Sequence, residues 1–360
     1  MQHKFLTHNK FLLGTFSTNC GGGMTVSKLP ERWRANWENN VKLGKMLDNA
    51  GIDFMLPIAR WVGYGGETDF HGEVLETITW ATALLASTKD ITVFATVHTA
   101  ANHPLVLAKQ IATMAQMSNN RVGLNIVAGW NKPEYEALGH DLPADHETRY
   151  EYAQEWFNFV KKLWTSKEPF NFDGKYWKTK RSYGNPLVEQ MPPIINAAGS
   201  PQGRAFAIDN VNFLFTPAID LERSKEEIAA LKQQANEKNK KLDVLTFSHV
   251  ICRPTEKEAL AEKQRILDNA DWAATDNLVK LQFAHAHSFP HDLLAQIREG
   301  MALGHGGFQL IGTPQQVADK IMSLHNAGFR GTTLSFLDYN KEFPYFRDNV
   351  LPILAANGIR

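Results

Sequence analysis

Cysteine is almost missing from this chain, with Cys20 and Cys252 the only two in 360 residues. Two such distant thiols exclude a disulfide scaffold, lack the paired spacing of a zinc site, and fit a reducing compartment. Net charge is missing as well, since 38 Lys and Arg stand against 38 Asp and Glu. Without a basic surplus the chain lacks the electrostatic footprint of a nucleic-acid or anionic-membrane binder. No stretch approaches the roughly eighteen apolar residues of a membrane helix. The opening MQHKFLTHNK has neither the apolar core nor the small-residue cleavage site of a secretory signal. These absences lead us to expect a soluble, cytoplasmic protein with neither nucleic acid nor membrane among its partners. Repeats, low-complexity tracts and linkers are absent too, so residues 1–360 are expected to form a single domain.

What is present is an alternation of short β-rich runs with longer helical patterns, the signature of βα units around a parallel sheet. The predicted strands are Lys10–Phe16, Asp53–Ala59, Ile91–Val97, Val122–Ala128, Pro192–Ala198, Val211–Pro217, Asp243–Cys252 and Gly331–Leu337. Their nearly continuous apolar character suits strands covered on both faces. Between them run amphipathic helices such as Val41–Asn49, where Leu43, Met46, Leu47 and Ala50 make one apolar stripe. Pro104 and Pro314 suit first helical turns, Thr313 suits an N-cap, and Gly328 suits a helix stop. The fold class is therefore α/β, a (β/α)8 TIM barrel. Two insertions interrupt it, at about 130–190 and about 268–308. The second carries HAHSFPH and GHGG and is expected to be a mobile lid without a core of its own.

A barrel of this kind builds its site where the strands end at their C-termini. Those ends are polar here: Ser17, Thr18 and Asn19 after the first strand, Ala59, Arg60 and Trp61 after the second, and Thr96, His98 and Thr99 at the third. The fourth brings Asn125, then Gly129, Trp130 and Glu134, and the fifth brings Asn196. Unpaired polar groups at such positions are costly, so their concentration at one rim points to a pocket, although each alone reads equally as a satisfied strand-end residue. Ala198-Gly199-Ser200-Pro201 leads straight into a helix whose free N–H groups and dipole favour a phosphate; taken alone it is an ordinary N-cap by Ser200. Gly21–Gly23 lack the lysine of a phosphate loop. His285, His287 and His291 could meet a metal on an extended segment, but no nearby carboxylate or cysteine completes the set, so a solvated segment is the better reading and no metal is expected. The absence of a G-x-S-x-G elbow removes support for hydrolase chemistry.

Longer motifs sharpen this. GYGGETDF (Gly63–Phe70), VGLNIVAGWNKPEYEALG (Val122–Gly139), TRYEY (Thr148–Tyr152), FDGKYW (Phe172–Trp177), INAAGSPQGRAFA (Ile195–Ala207) and LIGTPQQVADKI (Leu310–Ile321) resemble the bacterial-luciferase-like flavin monooxygenases. Within that family the resemblance is to the pyrimidine, dimethylsulfone and alkanesulfonate monooxygenases. It implies reduced FMN (FMNH2) and O2 as cofactors, a separate NAD(P)H:flavin reductase as partner, a small organic substrate, and a homo-oligomer, dimer or tetramer. Carried over by motif, Ala59, Arg60, Asn125, Glu134, Arg149, Tyr150 and Ser200 would hold the flavin. Leu56, Thr96 and Asn125 would be the catalytic oxygen pocket, where a flavin peroxide forms, and Trp61, His98 and Trp130 would line the substrate pocket. The run Pro57–Trp61 departs from the pyrimidine enzyme's lysine-containing stretch, and His98 from its small residue. Both departures bear on substrate, not on flavin.

Three functions follow for comparison. The first is a two-component monooxygenase acting on a nitrogen heterocycle such as a pyrimidine-like ring, with C–S cleavage of a sulfone or alkanesulfonate as the alternative. The second is a deazaflavin-dependent oxidoreductase, which would gain nothing from the Asn125 and Thr96 pocket. The third is a silent flavin-binding relative, against which the intact Asn125, Glu134, Arg149 and Ser200 argue.

Overall fold

The computed structural model describes residues 3–7, 9–143, 145–283 and 290–360. Strands β1 (Leu12–Phe16), β2 (Phe54–Leu56), β3 (Thr92–His98) and β4 (Val122–Val127) come first. A hairpin of β5 (Phe170–Asp173) and β6 (Lys178–Ser182) follows, and then β7 (Ile194–Ala197), β8 (Phe213–Phe215), β9 (Asp243–Cys252), β10 (Phe308–Gly312) and β11 (Gly331–Ser335). The parallel order β9-β11-β1-β2-β3-β4-β7-β8 closes on itself because β8 also pairs with β9. That ring of eight, wrapped by helices, is a (β/α)8 barrel.

Each predicted strand is present, several of them shorter. β2 ends at Leu56 because Pro57 has no N–H to extend a ladder. Two elements were not anticipated. The aromatic stretch of the first insertion folds as the antiparallel hairpin β5–β6, whose turn hangs on Glu155: its carboxylate accepts the N–H groups of Lys175, Tyr176 and Trp177, each at 2.8 Å. The second surprise is β10, which lies beside the C-terminal half of β9, Phe308 opposite Ser248 through Gly312 opposite Cys252.

The two ends of the barrel differ because different side chains fill them. At the N-terminal end Leu12, Phe54, Phe94, Ile195, Phe213 and Leu245 point inward, and Phe5 from the short helix Lys4–Thr7 plugs the opening. Its ring meets those of Phe54, Phe94 and Phe213 edge-on, with centroids 5.5 Å away in each case. The strands make room with glycine. A Cβ on Gly14 would lie 2.6 Å from the Phe54 ring, and one on Gly123 would lie 2.3 Å from the Phe94 ring. With this end sealed, access is left to the C-terminal end, where the inward residues become Thr96, His98, Asn125 and His249.

The window 268–308 is more ordered than a coreless loop. Helices Trp272–Gln282 and His291–Gly304 pair through Arg298 and Asp276, and bury Ala274, Leu278, Val279 and Met301 against Val26, Tyr64 and Phe70. The GHGG stretch terminates the second of these helices and is not a flexible tether: His305 is left-handed at φ 54° and its N–H returns to Met301, while Gly306 returns to Gly300. His285 and His287 lie outside the described residues.

Gly123→Ala should destabilise the fold by at least about 1–3 kcal/mol, since its methyl must displace a ring held on several sides. Urea unfolding of the variant beside the parent checks this, and an unchanged midpoint would mean that the phenylalanine layer is loosely packed.

Candidate functional site

The site is built from the segments that follow β2 and β4. Asn19 fixes the first: its amide donates to the carbonyls of Ile58 and Leu75, and its oxygen accepts the Ile58 N–H at 3.0 Å. Arg60 is thereby delivered into the mouth. The helix Lys132–Ala137 after β4 delivers Glu134, whose side chain has no solvent exposure. Arg60 Nη1 and Glu134 Oε1 are 2.8 Å apart, and the Trp61 N–H donates to the same oxygen at 2.9 Å. The guanidinium also lies 4.8 Å from the centroid of Tyr64 and 5.5 Å from that of Trp130. Trp61 and Trp130 are partly exposed around this buried pair.

His98 completes one wall. Its Nδ1 is 4.0 Å from Glu134 Oε2, too far for a hydrogen bond, and both atoms are buried without a partner. Burial and the Arg60 charge press its pKa down to about 4, so the imidazole is neutral at pH 7. Next to it Thr96 and Asn125 face each other in register across β3 and β4. Asn125 Nδ2 donates to Thr96 Oγ1 at 3.2 Å, and Thr96 donates to the Pro57 carbonyl at 2.6 Å. That chain leaves Asn125 Oδ1 buried with nothing to accept. Leu56, wholly buried at the end of β2, belongs to the barrel's inner apolar cluster.

The segment after β7 carries the third part. Ser200 caps the helix Pro201–Asn210, its Oγ accepting the Gly203 N–H at 3.1 Å, which leaves its own O–H free to donate outward. A Cβ on Gly199 would meet nothing within 4 Å, so the approach to the helix start is open. Tyr150 packs over the same turn, its Oη 2.6 Å from where a Cβ on Gly203 would stand. Arg149, one residue earlier, donates to the carbonyls of Gly129 at 3.0 Å and Asp145 at 3.2 Å. A groove of about 610 Å³ lies on the outer face of this helix, but Arg204, Arg223 and Glu227 there are paired with one another, as on an ordinary surface.

The structure thus brings Arg60, Trp61, His98, Trp130 and Glu134 into one cluster, ranges Leu56, Thr96 and Asn125 over three adjacent strands, and sets Tyr150 over the turn that Ser200 caps, with Arg149 next to it in the chain. Ala59 is buried beside Arg60 in the chain. Sequence reasoning passed over three more residues, Tyr64, His71 and His305. Their rings meet at 5.2–6.2 Å beside Arg60. GYGGETDF and GHGG contain or border them, yet as isolated polar residues in glycine-rich loops they gave no periodic signal. His249 on β9 was missed as well; both ring nitrogens are buried without partners. Neither thiol is a nucleophile at neutral pH, since burial raises Cys20 to about 12 and Cys252 to about 11.

Burial holds several histidines below their ordinary pKa, most strongly His98 and His249 at about 4, His305 at about 3, and His71 well below 6.5. Below pH 6.5 the unfolded chain takes up protons that the folded chain refuses. Their contribution to stability is therefore complete above that pH and declines as pH falls toward 4. Each should contribute a slope of up to about 1.4 kcal/mol per pH unit in that window. Urea melts between pH 7.5 and 4.5 measure the slope, and His249→Asn should reduce it by about one proton's worth; the same slope in both proteins would show that His249 is not held neutral.

The sequence profile of the luciferase-like monooxygenases matches residues 12–331. An FMNH(2)-dependent dimethylsulfone monooxygenase of Pseudomonas fluorescens is 29% identical over 342 residues, covering 93% of this chain and 92% of the relative. Pyrimidine monooxygenase RutA of Acinetobacter baylyi is 27% identical over 354 residues, covering 96% and 95%. Among solved structures, DmoA from Hyphomicrobium sulfonivorans superposes with a TM-score of 0.87 at 19% identity, over 97% of this chain and 89% of its own, which shows the shared fold.

Proposed function

The chain belongs to the luciferase-like monooxygenase family, and we propose that it is a two-component, reduced-FMN- and O2-dependent monooxygenase acting on a small nitrogen heterocycle. The observation that carries this is the set of buried polar atoms without partners at one end of the barrel: Arg60 Nε, Asn125 Oδ1, Glu134 Oε2 and Asn196 Oδ1. A planar ring system edged with hydrogen-bonding atoms fits those valences, and the open helix start at Gly199–Ser200 fits a phosphate. The printed names of the two sequence relatives support reduced FMN, and the pyrimidine enzyme among them supports the heterocycle. Cleavage of a sulfone C–S bond is the second reading, supported by the dimethylsulfone relative.

Reduced FMN, when bound, supplies the two electrons with which O2 is split between substrate and water. The protein does the rest. Ser200 Oγ–H and the first-turn N–H groups would hold the phosphate, Tyr150 would lie along it, and Arg149 would add positive charge. Ala59 and Arg60 would border the ring, with Glu134 holding the guanidinium still. Leu56 would offer apolar surface for dioxygen, and the Asn125 amide nitrogen, which has a second N–H beyond the one donated to Thr96, would offer a donor where oxygen acquires charge. Trp61, His98 and Trp130 would face the substrate. The paired helices 272–282 and 291–304 would cover the mouth and exclude water, the role we assign to the second insertion. A cytoplasmic location, a homo-oligomeric state and a separate NAD(P)H:flavin reductase belong to this reading. No helix among the described residues is long and apolar enough to cross a membrane.

Arg149→Ala tests the cofactor assignment without turnover. Loss of a charge-assisted hydrogen bond costs on the order of 1.5–3 kcal/mol, so FMN affinity should fall at least about tenfold while riboflavin affinity stays nearly unchanged. Fluorescence titration reads both; equal weakening of the two ligands would contradict a phosphate role.

A further inference from the structure

We propose that Tyr64, His71 and His305 form the recognition end of the substrate pocket, and that they select an uncharged ring bearing an N–H donor and a carbonyl, a cyclic amide, over a sulfone or a sulfonate. This rests on the monooxygenase reading above and narrows its substrate class.

His71 is held in one tautomer. His71 Nε2 lies 2.6 Å from the Gly23 carbonyl oxygen. A carbonyl can only accept, so Nε2 carries the hydrogen and Nδ1 is left as a bare lone pair. That Nδ1 is buried without a partner. The surroundings keep the ring neutral, since burial, His305 and Arg60 all disfavour a proton there. An acceptor in that state is set to receive an N–H or O–H, from a ligand or from an ordered water that a ligand can displace.

Tyr64 supplies the complement. Its ring centroid is 5.7 Å from that of His71, and its hydroxyl is also buried without a partner. A phenol held this far from ionising is available to donate. His305, 5.2 Å from His71, leaves Nε2 shut away from solvent and unpartnered. The trio adjoins the site already described, because the Arg60 guanidinium lies over the Tyr64 ring. Three open valences on rings whose centroids lie 5.2–6.2 Å apart, a fixed acceptor among them, are costly unless a ligand or ordered water meets them.

The same groups discriminate between substrate classes. A cyclic amide offers N–H to His71 and C=O to Tyr64. A sulfone carries oxygen acceptors only, which oppose the His71 lone pair. A sulfonate adds a full negative charge, and Arg60, the cation over the Tyr64 ring, is already matched by Glu134 at 2.8 Å. Rejection of a ligand that leaves a buried polar group unmatched exceeds what apolar shape alone achieves.

The test uses the FMN-loaded full-length chain and calorimetric titration with uracil, 2-pyrrolidinone, their N-methylated forms, dimethylsulfone and methanesulfonate. At least one N–H ring should bind about tenfold or more tighter than its N-methyl partner, than the sulfone and than the sulfonate. His71→Leu should collapse the N–H preference while FMN affinity stays unchanged, and His71→Asn, which keeps an acceptor oxygen, should restore part of it. A purely steric clash with the N-methyl group would survive His71→Leu. Tyr64→Phe, which removes one oxygen and keeps the ring, should weaken binding of the same amides should His71→Leu fail to fold. Failure of the parent chain to bind FMN would sink the monooxygenase reading. FMN binding with no N–H ring preferred over its N-methyl partner, or with the preference intact in the folded His71 or Tyr64 variants, would overturn this proposal alone.

Discussion

The buried ion pair of Arg60 and Glu134 sets the geometry of the barrel mouth. Glu134 has no solvent exposure, and its Oε1 is shared by the guanidinium and the Trp61 backbone. Removing two charges from water is expensive, and breaking such a pair by deleting one partner typically costs about 3–5 kcal/mol because the other charge is left stranded. The pair therefore locks the segment after β2 to the helix after β4. Tyr64 and Trp130 keep their places around the guanidinium, and the neighbouring histidines feel its charge and stay neutral. A cluster of buried hydrogen-bonding groups with its one ion pair internally matched is the result.

That polar cluster stands at one end of the barrel, and the other end is filled. Phe5, Phe54, Phe94 and Phe213 close the N-terminal opening, with Gly14 and Gly123 giving up side chains so that the rings fit. Along β3 and β4 the inward positions change from Phe94 over Gly123 to Thr96 beside Asn125 within one step of the strand's two-residue period. Stability and chemistry are thus separated along the barrel axis, and polar residues are tolerated where a ligand could satisfy them.

The barrel was legible because parallel strands covered on both faces leave nearly unbroken apolar runs such as ITVFATV and VGLNIVA, and because Thr313-Pro314 and Gly328 mark helix ends by their backbone chemistry. The polar rim was legible for the opposite reason, since Asn125 or Glu134 is conspicuous in such surroundings. β10 escaped notice because FQLIG is short and abuts a helix start. The helices 272–282 and 291–304 escaped because the histidine-rich stretch joining them was taken to characterise the whole window. Tyr64, His71 and His305 could not be read at all. Their meaning lies in a meeting of segments far apart in the chain, and in a tautomer set by the carbonyl of Gly23.

Turnover under dioxygen labelled with oxygen-18 decides whether the rim performs oxygen insertion. With reduced FMN supplied by an NAD(P)H:flavin reductase and uracil and dimethylsulfone offered in turn, mass spectrometry should find one labelled oxygen in the organic product of the heterocycle, and no label in it when ordinary dioxygen and oxygen-18 water are used instead. Flavin oxidation that yields only hydrogen peroxide with both probes, or a product whose new oxygen comes from water, would contradict the assignment of this barrel as a monooxygenase of small nitrogen heterocycles.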